Sequence, residues 1–319
     1  MKKNNGKAAV STRCQPSNLM RSKPHKGNAM RRLNGFARGL VAAALGIALI
    51  LGGGAIRTAE ASQRNAGVVA LAYDRGTDTL LKAYARTLYR SSDGGQSWKP
   101  MTLPSSENSE IAGIAASPAA KGVTYVVGTG WGVLRSEDGG KIWIERNEGL
   151  PSRDVVAVAT HTTQAETVYV VVSGHGVYRS QDAGKSWRLM EPGSQGGIEQ
   201  LVHSDMAGSM QSGWLFAATS KGIRRTMDCF CLWTDAGNLG TEAHAVTYDP
   251  RHPDHFYAVT DKGLFRSKDG GEGWVQITSP SSKAVALAFA PSNILYALDG
   301  KGVLFRSADD GSTWIQVGA

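Results

Sequence analysis

One eight-residue pattern, Ser/Thr-x-Asp-x-Gly-x-x-Trp, recurs through the C-terminal four-fifths of the chain, and only its fourth copy lacks the Gly. The six copies begin at Ser91, Ser136, Ser180, Thr226, Ser267 and Ser307. Successive copies lie 45, 44, 46, 41 and 40 residues apart, which is the period of a four-stranded propeller blade. Six of the eight tryptophans occupy the last position of the pattern. The spacing therefore predicts an all-β propeller of six four-stranded antiparallel blades.

Each repeat divides into four strand-like segments joined by short turns. The first segment has a central apolar residue with mostly Ala or Gly beside it; these central residues are Leu71, Ile114, Val158, Leu201, Val246 and Leu287. Because neighbouring side chains point to opposite faces of a strand, one face of this strand carries mostly small side chains. The crowded innermost strand of a propeller requires such a face. The predicted blades cover about 66–108, 109–153, 154–196, 197–241, 242–282 and 283–319, within one domain at 62–319.

Residues 1–61 differ in charge from the rest of the chain. They contain 11 Lys and Arg residues and a single acid, Glu60, whereas residues 62–319 contain 24 bases and 26 acids. The basic pI of the whole chain, about 9.4, therefore belongs to this leader. A body with a slight excess of acids does not favour nucleic-acid binding, and we predict no nucleic-acid partner.

The leader also has the order of segments found in export signals. Arg38 precedes an uncharged run at 39–56, and small residues stand at the −3 and −1 positions of a cleavage site after Ala61. We predict a cleaved signal peptide or an uncleaved membrane anchor, since 18 uncharged residues are the lower limit for a span. Both alternatives place the propeller outside the cytoplasm, in the periplasmic or extracellular space. The choice of Met1 or Met30 as the start stays open.

The acids of the repeated pattern are interpreted as turn-forming residues. Asp and Ser side chains bond to backbone groups a few residues away and so fix a turn, against which the Trp packs. A catalytic group is not needed six times around a ring, so no catalytic role is predicted for these acids. No metal or cofactor is predicted for the chain. The predicted structural pairs are Asp93 and Trp98, Asp138 and Trp143, Asp182 and Trp187, Asp228 and Trp233, Asp269 and Trp274, and Asp309 and Trp314.

The pattern resembles the Asp-box, or bacterial neuraminidase repeat, and the resemblance covers residues from about 66 to 319. Propellers with this box include sialidases, sortilin-like receptors and exported proteins similar to photosystem II assembly factors. The regular boxes, each with an Arg directly before its first residue, are most similar to those of the assembly factors. Those proteins generally have seven blades, whereas six repeats are present here.

The resemblance implies a protein-binding or assembly scaffold, with a sialidase-like glycoside hydrolase or a carbohydrate-binding propeller as the alternative. A sialidase needs an arginine triad, a Tyr–Glu nucleophile pair and an acid, and its family carries an Arg-Ile-Pro segment that this chain lacks. Tyrosines such as Tyr125 and Tyr169 recur at repeat positions and are explained by the fold. We therefore predict a non-enzymatic scaffold with a protein partner, while enzymatic activity and glycan binding stay open.

The turns between the second and third segments suggest a binding surface. In an antiparallel meander these turns lie on the face opposite the Asp-boxes, and four cations, one Trp and one His would form a ring there. The six residues are Arg86, Trp131, His175, Lys221, Lys262 and Lys301. Exposed turn lysines are also ordinary in a protein of this kind, so both interpretations stay open.

The fourth repeat is irregular. Glu199 on its first segment aligns with His244 of the fifth, so the two side chains are expected to approach near the axis as a pocket or as the lining of a hydrated channel. Its box carries Cys229 and Cys231 in place of the glycine-bearing turn. These cysteines could form a disulfide after export, and too few ligands lie nearby for a metal site. Their redox state stays open.

Overall fold

The computed structural model describes residues 67–193, 197–230 and 232–318. These residues form 24 β-strands and no helix, so a helix long and apolar enough to cross a membrane is not found among them. The predicted leader and Cys231 lie outside the described residues.

Four consecutive strands form each blade. In chain order the strands are β1 (Val68–Asp74), β2 (Thr79–Tyr84), β3 (Thr87–Ser91), β4 (Lys99–Met101), β5 (Glu110–Ala116), β6 (Thr124–Thr129), β7 (Gly132–Ser136), β8 (Ile144–Glu145), β9 (Val155–Thr160), β10 (Val168–Val172), β11 (Gly176–Ser180), β12 (Arg188–Pro192), β13 (Ile198–Ser204), β14 (Trp214–Thr219), β15 (Gly222–Met227), β16 (Thr234–Asp235), β17 (Ala243–Asp249), β18 (His252–Thr260), β19 (Gly263–Ser267), β20 (Val275–Ile277), β21 (Ala284–Ala290), β22 (Ile294–Asp299), β23 (Leu304–Ser307) and β24 (Ile315–Val317). Each successive group of four pairs in sequence order as an antiparallel sheet. The predicted six-bladed propeller is confirmed.

Neighbouring blades pack through six hydrophobic clusters, one at each junction. The cluster between blade 6 and blade 1 joins Leu71 and Leu80 of blade 1 to Leu298 and Leu304 of blade 6, each no more than 3% exposed. Burying one such side chain contributes about 1.5–3 kcal/mol. Among the described residues no sheet combines strands from both ends of the chain, so the ring closes by side-chain packing.

Five of the six Asp-boxes form the same corner between the third and fourth strands. In blade 1, Ser91 Oγ accepts a hydrogen bond from Gly95 N at 2.8 Å and donates one to Asp93 Oδ1 at 2.7 Å. Asp93 also accepts a bond from Ser97 N at 3.0 Å. Gly95 has a φ of 93°, and a Cβ there would collide with Leu304 of the neighbouring blade, which explains the glycine in the pattern. Ser136, Ser180, Ser267 and Ser307 make the equivalent bonds.

The Arg before each box links one blade to the next at four of the six junctions. In these links an Arg Nη1 donates to a backbone oxygen of the following box: Arg90 to Gly139 (3.1 Å), Arg179 to Asp228 (3.4 Å), Arg225 to Gly270 (2.6 Å) and Arg266 to Asp310 (3.3 Å). Arg135 instead donates to Tyr125 Oη at 2.9 Å and pairs with Glu137. At the closing junction, between blade 6 and blade 1, Arg306 is exposed and makes no hydrogen bond or ion pair with any described residue. The closing junction therefore relies on apolar packing.

Candidate binding site

Every inner strand carries a β-bulge near its start, where one residue is skipped in the pairing with the second strand. A bulge leaves that residue unpaired and redirects its side chain. The six skipped residues are Val69, Ala112, Val156, Glu199, His244 and Val285. All of them line one cavity on the propeller axis. We call them the throat ring.

The cavity above the throat ring is a funnel of about 880 Å³ with walls from all six blades. Thr129, Ser173 and Ser220, at or beside the turns between second and third strands, contribute to its lining. The funnel therefore opens on the face opposite the Asp-boxes, because the boxes join third to fourth strands. Further along the axis the next cavity holds only about 40 Å³, so the funnel narrows below the ring.

The two polar members of the throat ring belong to a chain of charges across blades 4, 5 and 6. Glu199 Oε2 lies 3.1 Å from His244 Nδ1, and Asp261 Oδ1 lies 3.0 Å from His244 Nε2. Lys283 Nζ donates to the same Asp261 oxygen at 3.1 Å. Partial burial opposes the charged imidazole, but the bonds to Asp261 and Glu199 outweigh it and raise the pKa of His244. The approach of Glu199 and His244 expected from the aligned strands is present, and a binding role for them stays a prediction.

The residues predicted to form a basic and aromatic ring lie at the β2–β3-type turns of the six blades, on the funnel face. The exposed members are Arg86, His175, Lys221, Lys262 and Lys301. Arg86 faces Glu110 at 3.5 Å, and Lys262 Nζ donates to Gly240 O at 2.9 Å. Two of the predicted cations are therefore already engaged with their own chain.

Trp131 differs from the other five turn residues, because it is only 6% exposed and belongs to the cluster between blades 1 and 2. Asn147 holds this turn: its Nδ2 donates to Trp131 O at 2.9 Å, and its Oδ1 accepts a bond from Val133 N at 2.8 Å. Trp131 is therefore placed as a core residue, and the funnel face loses the one aromatic side chain expected there.

A Ser–His–Asp group between blades 3 and 4 has the composition of a catalytic triad but not its bonding. Ser212 Oγ lies 2.8 Å from His161 Nε2 and 2.5 Å from Asp228 Oδ2. His161 Nδ1 accepts bonds from the backbone N–H groups of Thr163 and Gln164, at 3.2 and 3.1 Å. The imidazole proton therefore sits on Nε2, and His161 cannot take the serine proton. This group fixes the irregular fourth box, whose aspartate it uses.

His203 completes this buried group, with its ring centre 3.8 Å from that of His161. Thr162 N donates to His203 Nδ1 at 3.3 Å, so Nε2 of His203 also carries its proton. A metal needs an imidazole nitrogen with a free lone pair, and neither Nε2 offers one beside Asp228. Burial and the neighbouring His161 lower the pKa of His203 to about 3, which keeps its ring neutral.

A family model for photosynthesis system II assembly factor YCF48 matches residues 61–221, half of the chain. The chain belongs to this family. The predicted resemblance to Asp-box propellers of the assembly-factor type is thereby confirmed. Among curated proteins, none matches the sequence significantly.

Solved structures place this YCF48-family chain among known propellers. A structure of YCF48 bound to D1 peptide is 22% identical, with a TM-score of 0.53 over 80% of this chain and 83% of that chain. YCF48 from Cyanidioschyzon merolae is 18% identical, with a TM-score of 0.53 over 80% and 86% of the two chains. The GH74 enzyme of Niastella koreensis is 17% identical, with a TM-score of 0.55 over 79% of this chain and 47% of that chain. At these identities the structural matches establish the fold.

The throat ring is the part of the site that sequence reasoning missed in this family member. Only Glu199 and His244 stood out, because they are polar where the other repeats carry Val or Ala. The alignment of first segments already placed all six residues at one position relative to the central apolar residues. The bulge that turns them toward the axis has no residue signature of its own.

Proposed function

We propose that this chain is a non-enzymatic, exported propeller that binds a segment of a partner protein in its funnel. The throat ring carries this proposal, because side chains from six blades meet at one axial recess and four of the six are apolar. A recess of about 880 Å³ with an apolar base and a few polar groups suits the side chains of a bound peptide. The peptide in the related YCF48 structure supports peptide binding on this fold.

The exposed cations of the funnel face extend the proposed surface. Lys221, Lys262 and Lys301 stand at the turns of blades 4, 5 and 6. Cations at the rim of an interface attract and orient acidic residues of a partner more than they add affinity. We propose that they contact acidic residues of the partner outside the funnel.

The test is selection of peptides from a random displayed library against the purified full chain, followed by anisotropy measurements on the selected peptides. Val69→Glu places a charge in the throat at a residue that is 40% exposed, and we expect it to weaken binding about tenfold or more. Ile142→Glu, at a 65% exposed site in the Asp-box corner of blade 2, on the face opposite the funnel, is the matched control and should bind normally. Failure to select any peptide would contradict the proposal, and so would a Val69→Glu variant that binds the peptides as well as the unmodified chain does.

A glycan-processing enzyme is the rival function, and one observation favours it. Carboxylate oxygens of Glu199 and Glu242 lie within 4.8 Å of each other in the funnel, and retaining glycosidases use two carboxyl groups about 5–5.5 Å apart. Glu199 is, however, already paired with His244. We expect no hydrolysis of fluorogenic glycosides by the purified chain. Hydrolysis that disappears in Glu199→Gln would reverse the ranking, and glycan binding without hydrolysis would make this a carbohydrate-binding propeller.

Export is the second part of the proposal and is supported by the basic, apolar and small segments of the leader. Mass spectrometry of the protein recovered from cell fractions tests it. A mature chain starting at Ser62 outside the cytoplasm fits a cleaved signal, and a full-length chain in the membrane fraction fits an anchor. A full-length chain in the cytoplasmic fraction contradicts export.

A further inference from the structure

The carboxylates at the funnel mouth differ in their hydrogen-bond and ion-pair partners. Glu110, Asp154 and Glu242 occupy the same position, two residues before the bulged residue of their inner strands. Glu110 faces Arg86 at 3.5 Å, and Asp154 Oδ1 accepts a bond from Thr129 Oγ1 at 3.0 Å. Glu242 is half-buried in the funnel wall and has neither a hydrogen bond nor an ion pair with any described residue.

The imidazole beside Glu242 has no donor left for it, and Lys283, the ammonium on the same side of the funnel, is bonded to Asp261. A carboxylate oxygen of Glu242, one of Glu199 and a ring nitrogen of His244 lie within 4.8 Å of one another. Both nitrogens of His244 are already directed at other carboxylates, Glu199 on one side and Asp261 on the other. The carboxylates of Glu199 and Glu242 therefore share one wall of the funnel. Glu199 is paired with His244, whereas Glu242 has no cationic partner among the described residues.

The other four members of the throat ring, on blades 1, 2, 3 and 6, are apolar. They are Val69, Ala112, Val156 and Val285, and Val69 is 40% exposed. A ligand that matches both sides has an aliphatic stem and a positive end. An ammonium has three donors and makes bonds of about 2.8 Å to carboxylates, so one ammonium can reach two oxygens that lie within 4.8 Å of each other. A guanidinium prefers two parallel bonds to one carboxylate, so on Glu242 it would not share its charge with Glu199, whereas an ammonium between them serves both.

We propose that the funnel binds a lysine side chain of the partner segment, with its ammonium between Glu242 and Glu199 and its stem against the valines of the throat ring. This inference rests on the proposed protein-binding function and names the residue that enters the funnel. It assigns opposite charges to two parts of the partner: acidic residues at the rim lysines and one cation at the centre.

The test is an NMR titration of the full chain with Nα-acetyl-lysine methylamide, its Nε-acetylated form and the norleucine analogue. We expect the free amine to shift the backbone amides at the starts of the inner strands, and Nε-acetylation or the norleucine stem to weaken binding about tenfold. Glu242→Gln should weaken binding of the free amine by a similar factor. Glu166→Gln, at an exposed carboxylate in the loop between β9 and β10 on the face opposite the funnel, should bind normally and shows that the loss is local.

Three outcomes would overturn the inference: no shifts from the free amine, equal binding of the acetylated form, or unchanged binding by Glu242→Gln. The peptides selected in the display experiment separate this result from the proposed function. Selected peptides that compete for the funnel but contain no lysine contradict the lysine assignment and leave peptide binding intact. Absence of any selected peptide contradicts peptide binding itself.

Discussion

His203 occupies an inner-strand position where other blades carry residues such as Tyr73 or Phe289. It is 3% exposed, and its Nε2 has no acceptor among the described residues. A buried donor without an acceptor destabilises a fold by about 1–3 kcal/mol, and a charged imidazole there would destabilise it further. Tight packing against His161 holds this ring in place. Blade 4 thus carries a residue whose protonation the folded state resists.

Stability should consequently fall in mild acid. The pKa of His203 is about 3 in the fold against an ordinary 6.5, so the unfolded chain binds one more proton between these values. Above pH 6.5 His203 is neutral in both states and does not lower the free energy of unfolding. As the pH falls below 6.5, that free energy should decrease by about 1.4 kcal/mol per pH unit. Urea unfolding at several pH values measures the slope. His203→Gln should flatten it, whereas the exposed His175→Gln should leave it unchanged; equal slopes in all three proteins would rule out His203 as the source.

At the element scale, the arginine before each Asp-box makes different contacts at different junctions between blades. Arg225 Nη1 donates to Gly270 O at 2.6 Å and its second nitrogen pairs with Glu272. Arg306 occupies the same repeat position at the closing junction, yet it is exposed and unbonded among the described residues. Hydrogen bonds that involve a charged group contribute about 1.5–3 kcal/mol each. The two arginines should therefore differ in their effect on stability.

The corresponding prediction compares Arg225→Ala with Arg306→Ala. We expect Arg225→Ala to lower the free energy of unfolding by about 1.5–3 kcal/mol, because it removes a link between blades 4 and 5. Arg306→Ala should change it by less than about 0.5 kcal/mol, as is usual for an exposed surface substitution. Chemical denaturation followed by circular dichroism gives both values. Equal losses in the two variants would mean that the link contributes nothing beyond the side chain's surface packing.

Strands and boxes could be predicted from the sequence because their cause is local. The Ser–Asp–Gly corner needs only residues within the box, as in the bonds among Ser91, Asp93 and Gly95. The throat ring could not be predicted, because a bulge depends on how two strands pair across a blade. Trp131 was misplaced for a similar reason: a turn position indicates exposure, but Asn147 and the side chains of the neighbouring blade enclose it.

At the scale of the whole molecule, all six blades form one closed set of junctions. Each hydrophobic cluster is shared by two blades, including the last and the first. No blade can leave without exposing apolar surface on two neighbours, so local and global unfolding are coupled. The ring should consequently unfold as a unit even when only its closing junction is weakened.

Leu298→Ala tests this coupling, since Leu298 is fully buried in the closing cluster. We expect a loss of about 2–5 kcal/mol, with one transition seen at the same denaturant concentration by far-UV circular dichroism and by tryptophan fluorescence. Ile315→Ala, on the outer strand of the same blade and 59% exposed, is the control and should have little effect. Two separated transitions in Leu298→Ala would show that blade 6 unfolds independently.

The unbonded Arg306 has a consequence for how such rings change size. Blades 1 and 6 meet at this junction beside a guanidinium that bonds to no described residue, and no strand is exchanged between the two blades. Adding or removing one duplicated unit at this point would break no side-chain hydrogen bond or ion pair between the described residues of blades 1 and 6. Evolution can therefore alter the number of repeats most easily here, because an added blade has only to match the apolar faces of its two neighbours.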